Sequence, residues 1–125
     1  MNTKRILIID DEDDIREVAK LSLEMLGGWE VVLASSGGEG LSTAEVEKPD
    51  AILLDVMMPG MDGPTTLLRL QERQATQAIP VILMTAKVQA ADRERFKSLG
   101  VTNVIAKPFD PMQLASQVSD ALGWG

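Results

Sequence analysis

The stretch that decides the fold of this chain is Ile6-Leu7-Ile8-Ile9-Asp10-Asp11-Glu12-Asp13-Asp14. Four apolar residues pass directly into five consecutive acids, with no linker between them. The apolar run predicts a buried strand, and carboxylates crowded at its end repel one another and lose hydration. Such a cluster is costly unless a cation lies within it. The stretch therefore predicts a divalent metal ion at the carboxyl end of a sheet strand.

Composition limits the chemistry that the chain can perform. Its 125 residues include no cysteine and no histidine, which excludes disulfides, thiolate metal sites and imidazole bases or ligands. Any bound metal must then be a hard, oxygen-preferring ion such as Mg²⁺ or Mn²⁺. The net charge of −7 argues against direct binding of nucleic acid. No apolar stretch approaches the roughly 20 residues that span a bilayer, and the first run stops at Asp10, too early for a signal peptide. We expect one cytoplasmic domain over residues 1–125, without membrane contact.

Five apolar runs alternate with amphipathic segments along the chain. The predicted strands are Arg5–Ile9, Glu30–Ala34, Ala51–Leu54, Val81–Met84 and Asn103–Ala106. The predicted helices are Asp13–Leu26, Gly38–Glu47, Asp62 to about Gln74, Gln89–Leu99 and Asp110–Leu122. On the first helix, the spacing of apolar residues predicts a core-facing side made of Ile15, Val18, Ala19, Ser22, Met25 and Leu26.

This alternation predicts an α/β fold, a (βα)5 doubly wound, five-stranded parallel sheet of the flavodoxin-like type. Right-handed crossovers restrict the strand order, and 2-1-3-4-5 is the common solution for five strands. Ligands of such sheets bind at the carboxyl ends of the strands, where the strand order reverses. For this order the reversal lies between the first and third strands, so the residues that follow the strands are the candidate site.

Chemically useful residues follow four of the five predicted strands. Asp10 and Asp11 follow the first strand, Asp55 the third, Thr85 the fourth and Lys107 the fifth. Each has a simpler explanation when taken alone: the paired acids could start a helix, Asp55 could stabilise a turn, Thr85 could cap a helix, and Lys107 could lie exposed. Their joint occurrence at one edge of one sheet favours a site.

Only the first two acids of the opening run belong to the predicted site. Glu12, Asp13 and Asp14 are explained as solvated acids in the first turn of a helix. Within the site, a carboxylate cluster can hold Mg²⁺, which keeps several waters and bridges to phosphate oxygens. Once the charge is neutralised, one carboxylate is free to attack phosphorus, while Thr85 and Lys107 could bind the phosphoryl oxygens. The set predicts phosphoryl transfer to an aspartate.

These residues together resemble the receiver domains of two-component response regulators, over essentially the whole chain. The motifs that carry the resemblance are Asp10-Asp11, Asp55-Val56-Met57-Met58-Pro59-Gly60-Met61-Asp62-Gly63, Thr85-Ala86 and Lys107-Pro108-Phe109. The resemblance implies that Asp55 accepts a phosphoryl group. It implies a Mg²⁺ or Mn²⁺ site whose ligands are Asp10, Asp11, Asp55 and the backbone carbonyl of Met57. It further implies that Thr85 and Lys107 each contact a phosphoryl oxygen, and that the Lys107-Pro108 bond is cis.

The resemblance also implies partners. The phosphodonor would be a sensor histidine kinase or a histidine phosphotransfer protein. A downstream protein would bind the face formed by the fourth helix, the fifth strand and the fifth helix. That face carries four basic residues, Lys87, Arg93, Arg95 and Lys97. They suggest acidic groups on the partner. Such a protein is a signalling switch and not an enzyme, since it catalyses only its own phosphorylation and dephosphorylation.

One departure from the family pattern keeps an alternative open. Val104 stands three positions before Lys107, where the family usually has an aromatic switch residue. Valine has no ring to rotate, so a receiver-like interaction scaffold with weak or absent phospho-switching is the alternative. A haloacid-dehalogenase-type phosphatase is a weaker one, because Met57 stands where that family has a second aspartate. A nucleotide-binding module is disfavoured, since the first strand leads into acids and not into a glycine-rich loop.

Overall fold

Strands and helices alternate along the computed structural model, which describes residues 3–86 and 89–124. The strands are β1 (Arg5–Ile9), β2 (Glu30–Ala34), β3 (Ala51–Asp55), β4 (Val81–Thr85) and β5 (Asn103–Ala106). The helices are α1 (Asp13–Gly27), α2 (Gly37–Glu47), α3 (Gly63–Glu72), α4 (Ala90–Ser98) and α5 (Leu114–Leu122). The predicted alternation is confirmed over the described ranges. The bounds of β1, β2 and β5 are those predicted, β3 and β4 are each one residue longer, and the helix ends differ from the predicted ones by up to four residues.

All neighbouring strands of the sheet run parallel, in the order β2-β1-β3-β4-β5. This confirms the predicted (βα)5 doubly wound, flavodoxin-like topology. Ile9 is in register with Leu54, and Asp55 is in register with Met84. The ends of β1, β3 and β4 therefore lie side by side, at the point where the strand order reverses.

Alternate side chains of the central strands fill two cores, one on each face of the sheet. Leu7 and Ile9 pack in the core that α2, α3 and α4 cover, while Ile6 and Ile8 pack in the core that α1 and α5 cover. Every residue of β3 and β4 is buried, as continuous apolar runs predict for strands covered on both faces. The loops at the carboxyl edge of the sheet thus start from well-packed strands.

The buried face of α1 differs from the predicted one. Ala19 and Ser22 are buried as expected, and Leu23 is buried beside them. Three members of the predicted face are exposed: Val18 at 40%, Met25 at 78% and Leu26 at 51%. The helix packs against both the sheet and α5, and the Ser22 hydroxyl donates to the Pro111 carbonyl. Because of those contacts, the buried face of α1 includes Leu23, an orientation that the spacing of apolar residues alone did not predict.

The fifth helix begins later than predicted, because a separate turn precedes it. Asp110 Oδ1 accepts a hydrogen bond from the Met112 amide at 2.9 Å, and the Asp110 carbonyl accepts one from the Leu114 amide at 3.0 Å. The regular helix starts only at Leu114. The Lys107-Pro108 bond is cis, as the resemblance implied.

Helix α4 is strongly polar, and Phe96 is its one buried residue. Lys87, which the sequence assigned to the same face, lies outside the described residues. In residues 3–86 and 89–124, none of the helices combines the length and the apolar character needed to cross a membrane.

Candidate functional site

The acids that the sequence placed at the sheet edge converge there. Asp10 follows β1 and is fully buried, and Asp55 is the last residue of β3, with 2% of its surface exposed. Carboxylate oxygens of Asp10, Asp11, Glu12 and Asp55 all lie within 4.8 Å of one another. Because β1 and β3 are adjacent in the sheet, the topology itself produces this cluster.

Lys107 inserts its ammonium group into the acidic cluster. Its Nζ lies 2.9 Å from Asp10 Oδ2 and 3.2 Å from Asp55 Oδ1. A third carboxylate approaches as well, with Glu12 Oε1 at 3.5 Å. The Lys107 side chain is only 13% exposed, so its ion pairs with the buried Asp10 and Asp55 are poorly screened by water. Lys107 is thus a member of the site, and the simpler reading of an exposed lysine is wrong.

Thr85 occupies the same edge one strand further along. It is the last residue of β4 and is 1% exposed. Its carbonyl accepts a hydrogen bond from the Lys107 amide at 2.9 Å. Met84, the residue before it, is in register with Asp55. Thr85 therefore lies beside β3, the strand that ends at Asp55, and its backbone is hydrogen-bonded to that of Lys107.

Backbone groups fix the carboxylates in place. The amide of Glu12 donates to Asp10 Oδ1 at 2.9 Å, and the amide of Met57 donates to Asp55 Oδ1 at 3.3 Å. Behind Asp55, a Cβ built on Gly63 would lie 2.5 Å from the Asp55 carbonyl oxygen. The start of α3 consequently packs directly against the end of β3, which only glycine permits.

Arg16 is a contributor that the sequence reading missed. Its Nη1 donates to the carbonyl of Asp10 at 2.6 Å, and its Nη2 pairs with Asp13. The side chain is 14% exposed, so the guanidinium clamps the loop between β1 and α1 from within the fold. Arg16 is three residues after Asp13 on the helix. That spacing predicts the ion pair between them but not the contact of Arg16 with Asp10.

Burial and charge shift the pKa values of the two central groups. Burial, followed by the negative charge of Asp10, raises the pKa of Asp55 from its ordinary 3.8 to about 6, and Lys107 only partly opposes this. Burial acts to lower the pKa of Lys107, but the neighbouring carboxylates of Asp10 and Asp55 outweigh it, so that the pKa lies above 10.5. Lys107 stays protonated at neutral pH, while Asp55 ionises at a higher pH than an exposed aspartate.

The donor set fits a hard divalent cation. Asp10 Oδ2 and Asp55 Oδ2 are buried and accept no hydrogen bond from the described residues. Asp10 Oδ2 forms an ion pair with Lys107, whose Nζ lies 2.9 Å away, whereas Asp55 Oδ2 has no such contact among the described residues. Buried carboxylate oxygens with free lone pairs are the ligands that Mg²⁺ and Mn²⁺ prefer. Asp10, Asp11 and Asp55 could hold such an ion, and the role expected of the Met57 carbonyl stays a prediction.

Two residues near the site, Glu12 and Val104, make contacts that the sequence did not predict. Glu12 is exposed at the N-terminus of α1, as predicted for a solvated helix-start acid, and its carboxylate also lies 3.5 Å from Lys107 Nζ. Val104, at the position of the family's aromatic switch residue, is 5% exposed and packs in the core that includes Phe96. The valine is therefore a core residue here.

Comparison with known protein families decides the family. Residues 6–119 match the response regulator receiver domain. The chain belongs to this family. Among curated relatives, PhoP of Bacillus subtilis, an alkaline phosphatase synthesis transcriptional regulatory protein, is 39% identical over 119 residues. The match covers 95% of this chain and 48% of PhoP. The protein PilH of Pseudomonas aeruginosa is 37% identical over 119 residues, with 94% of this chain and 97% of PilH covered.

Solved structures agree with this assignment. The chemotaxis protein CheY4 of Vibrio cholerae superposes with a TM-score of 0.88 at 27% identity, covering 96% of this chain and 99% of CheY4. A response regulator of Chloroflexus aurantiacus superposes with a TM-score of 0.87 at 33% identity, covering 98% and 99% of the two chains. The chain is thus a receiver domain of two-component signalling, and it spans about half the length of the PhoP and PhoB relatives that it matches.

Proposed function

We propose that this receiver domain, residues 1–125, is a phosphorylation-dependent switch that accepts a phosphoryl group on Asp55. One observation carries the proposal: Asp55 is buried at the sheet edge between a second carboxylate and a lysine, with Oδ2 free of hydrogen bonds from the described residues. Most buried carboxylate oxygens in folded proteins have a hydrogen-bond partner. An oxygen left free at the carboxyl edge is available to a reacting group.

The phosphodonor we infer is a phosphohistidine on a sensor histidine kinase or a histidine phosphotransfer protein. An oxygen of the Asp55 carboxylate attacks phosphorus, the new P–O bond forms, and the P–N bond to the donor imidazole breaks. The imidazole takes up a proton as it leaves. Lys107 and Thr85 pair with phosphoryl oxygens as charge redistributes over them. The chain would catalyse only its own phosphorylation and the hydrolysis that reverses it.

Mg²⁺, or Mn²⁺ in its place, would be held by Asp10, Asp11 and Asp55 together with the Met57 carbonyl. When bound, it supplies positive charge next to the phosphoryl oxygens. The residues of the chain explain the requirement, because Asp10 and Asp55 carry adjacent negative charges that Lys107 offsets only in part. An approaching phosphoryl group, itself negative, would otherwise be repelled.

The output of the switch would pass to a protein partner on the face formed by α4, β5 and α5, in the cytoplasm and without contact to membrane or nucleic acid. Phosphorylation adds about −1.5 to −2 charge to the pocket and biases the loops around it. With Val104 buried in the core, the surface change would not include the turning of an aromatic ring at that position.

A labelling experiment tests the proposal. The protein is incubated with Mg²⁺ and acetyl phosphate, and acid-labile phosphate is measured for the wild type, for Asp55→Asn and for Asp14→Asn, which removes an exposed carboxylate from the first turn of α1. We expect wild type and Asp14→Asn to gain one phosphoryl group, and Asp55→Asn to gain none. If the wild type gains no acid-labile phosphate, or if Asp55→Asn labels equally well, Asp55 is not the acceptor.

A further inference from the structure

Glu12 immediately precedes α1, and its backbone carbonyl accepts a hydrogen bond from the Arg16 amide at 3.1 Å. It is the N-cap residue, yet its side chain makes no capping hydrogen bond. Instead Oε1 lies 3.5 Å from Nζ of Lys107, which is 95 residues away in sequence. A capping side chain normally accepts from the backbone of the first turn. This carboxylate is turned toward the pocket.

The three carboxylates around Lys107 differ in burial. Asp10 and Asp55 are buried behind the ammonium group, whereas the Glu12 side chain is 61% exposed and lies on the solvent side. A lysine ammonium has three donors, so it can serve all three partners at once. Among the described residues, Glu12 is therefore the ion-pair partner of Lys107 on the solvent side of the two buried acids.

A divalent cation and Lys107 compete for the same buried oxygens. Asp10 and Asp55 are ion-pair partners of Lys107, and they are also the buried members of the cluster that can hold a metal. Two cations in one pocket repel each other. When a metal enters, the ammonium would shift toward the mouth of the pocket, where the Glu12 carboxylate already lies 3.5 Å from it.

We propose that Glu12 is a positioning residue that anchors Lys107 at the mouth of the pocket, and thereby reduces the competition between this ammonium and Mg²⁺. The inference rests on the proposed function, in which the pocket binds Mg²⁺ and Lys107 meets the phosphoryl group. Glu12 acts through Lys107, and it is not itself a metal ligand.

A double-mutant cycle on Mg²⁺ affinity tests the inference without any phosphorylation. Calorimetric titration of Mg²⁺ compares Glu12→Ala in the wild type and in Lys107→Met. We expect Glu12→Ala to weaken binding about three- to tenfold when Lys107 is present, which lies in the lower part of the range seen for residues in direct contact. In Lys107→Met the same substitution should cost no more than Asp14→Ala, the matched loss of a charge from the first turn.

Each other outcome contradicts the inference in its own way. If Glu12→Ala weakens binding equally in Lys107→Met, Glu12 is a metal ligand. If Glu12→Ala weakens Mg²⁺ binding no more than Asp14→Ala in either background, Glu12 contributes only through its general negative charge. Glu12→Asp separates reach from charge, because it keeps the carboxylate but shortens the side chain by one methylene. The inference predicts that Glu12→Asp binds Mg²⁺ as weakly as Glu12→Ala does. Binding with wild-type affinity would overturn the inference.

A second measurement leaves Lys107 unchanged, so it can be made even if Lys107→Met fails to fold. NMR relaxation of the Lys107 side-chain methylenes is measured in Mg²⁺-saturated wild type and Glu12→Ala. We expect an ordered side chain in the wild type and a more mobile one in the variant, and equal order would refute the anchoring role. A wild type that binds no Mg²⁺ would overturn this inference together with the proposed metal site, whereas normal coupling without Asp55 labelling would overturn the proposed function alone.

Discussion

Asp55→Asn should stabilise the folded protein at neutral pH when no metal is present. Burial and the charge of Asp10 raise the pKa of Asp55 from 3.8 to about 6 in the fold. A rise of about 2 units, at about 1.4 kcal/mol per unit, means that ionising this group in the fold costs about 3 kcal/mol relative to the unfolded chain. An amide carries no charge and escapes this cost. We expect a gain of about 1–3 kcal/mol in the free energy of unfolding, because the amide does not reproduce every contact of the carboxyl group.

The same shift fixes how the gain depends on pH. The folded-state pKa of Asp55 is the higher one, so the folded protein binds this proton more tightly than the unfolded chain. The contribution of Asp55 to wild-type stability therefore falls as pH rises from 3.8 to about 6, and is constant above that window. The advantage of Asp55→Asn should be close to zero below the window and complete above it.

Urea denaturation with a chelator present, at a pH near the lower limit of the window and again at pH about 7.5, measures this difference. Asp14→Asn is the matched control, since it removes a carboxylate that is exposed and close to the positive end of α1. It should show no gain, or a loss of about 0.3–1 kcal/mol. The reasoning is refuted if Asp55→Asn is no more stable than wild type at the higher pH. It is also refuted if the gain in the free energy of unfolding is the same at both pH values.

Three further substitutions test the supports of the site. Gly63→Ala should destabilise the fold by about 1–3 kcal/mol, because the added Cβ meets the Asp55 carbonyl oxygen at 2.5 Å. Urea denaturation measures the loss, and Gly38→Ala, at a position with open space, should show none. Phe96→Ala should cost about 3–5 kcal/mol and loosen α4 first, since Phe96 is its buried anchor; hydrogen exchange in α4 no faster than in the sheet would contradict this. Lys107→Met should move the titration midpoint of the Asp55 carboxyl, followed by ¹³C NMR, above about 6, and an unchanged midpoint would show that Lys107 does not stabilise the ionised form.

The sequence predicted the sheet and the buried members of the site for one shared reason. Parallel strands end at a common edge, so the residues that follow apolar runs must meet once the strand order is known. It was sufficient to recognise the preceding apolar runs as strands in order to place Asp10, Asp55 and Lys107 at that edge. Their positions depend on the backbone and not on side-chain conformation, which is why simple pattern reading placed them correctly.

Side-chain direction could not be predicted in the same way. The face of α1 depends on how the helix sits against both the sheet and α5, and a broad apolar pattern allows more than one rotation. Glu12 and Arg16 contact Lys107 and Asp10 from positions that also suit ordinary first-turn residues of a helix. Their contacts depend on the path of the loop between β1 and α1, which no periodicity encodes.

The electrostatic cost at Asp55 and the proposed chemistry have the same origin. A second lysine in the pocket would neutralise Asp10 and Asp55 together and stabilise the fold, but it would also occupy the oxygens that a divalent cation needs. With one ammonium among the carboxylates, the pocket keeps a net negative charge, and Asp55 keeps a pKa of about 6. The remaining repulsion is relieved when Asp55 takes up a proton or when a cation enters the pocket. The folded protein is thus least favoured electrostatically when Asp55 is ionised, and that is the state in which the proposed Mg²⁺ site has all of its carboxylate ligands charged.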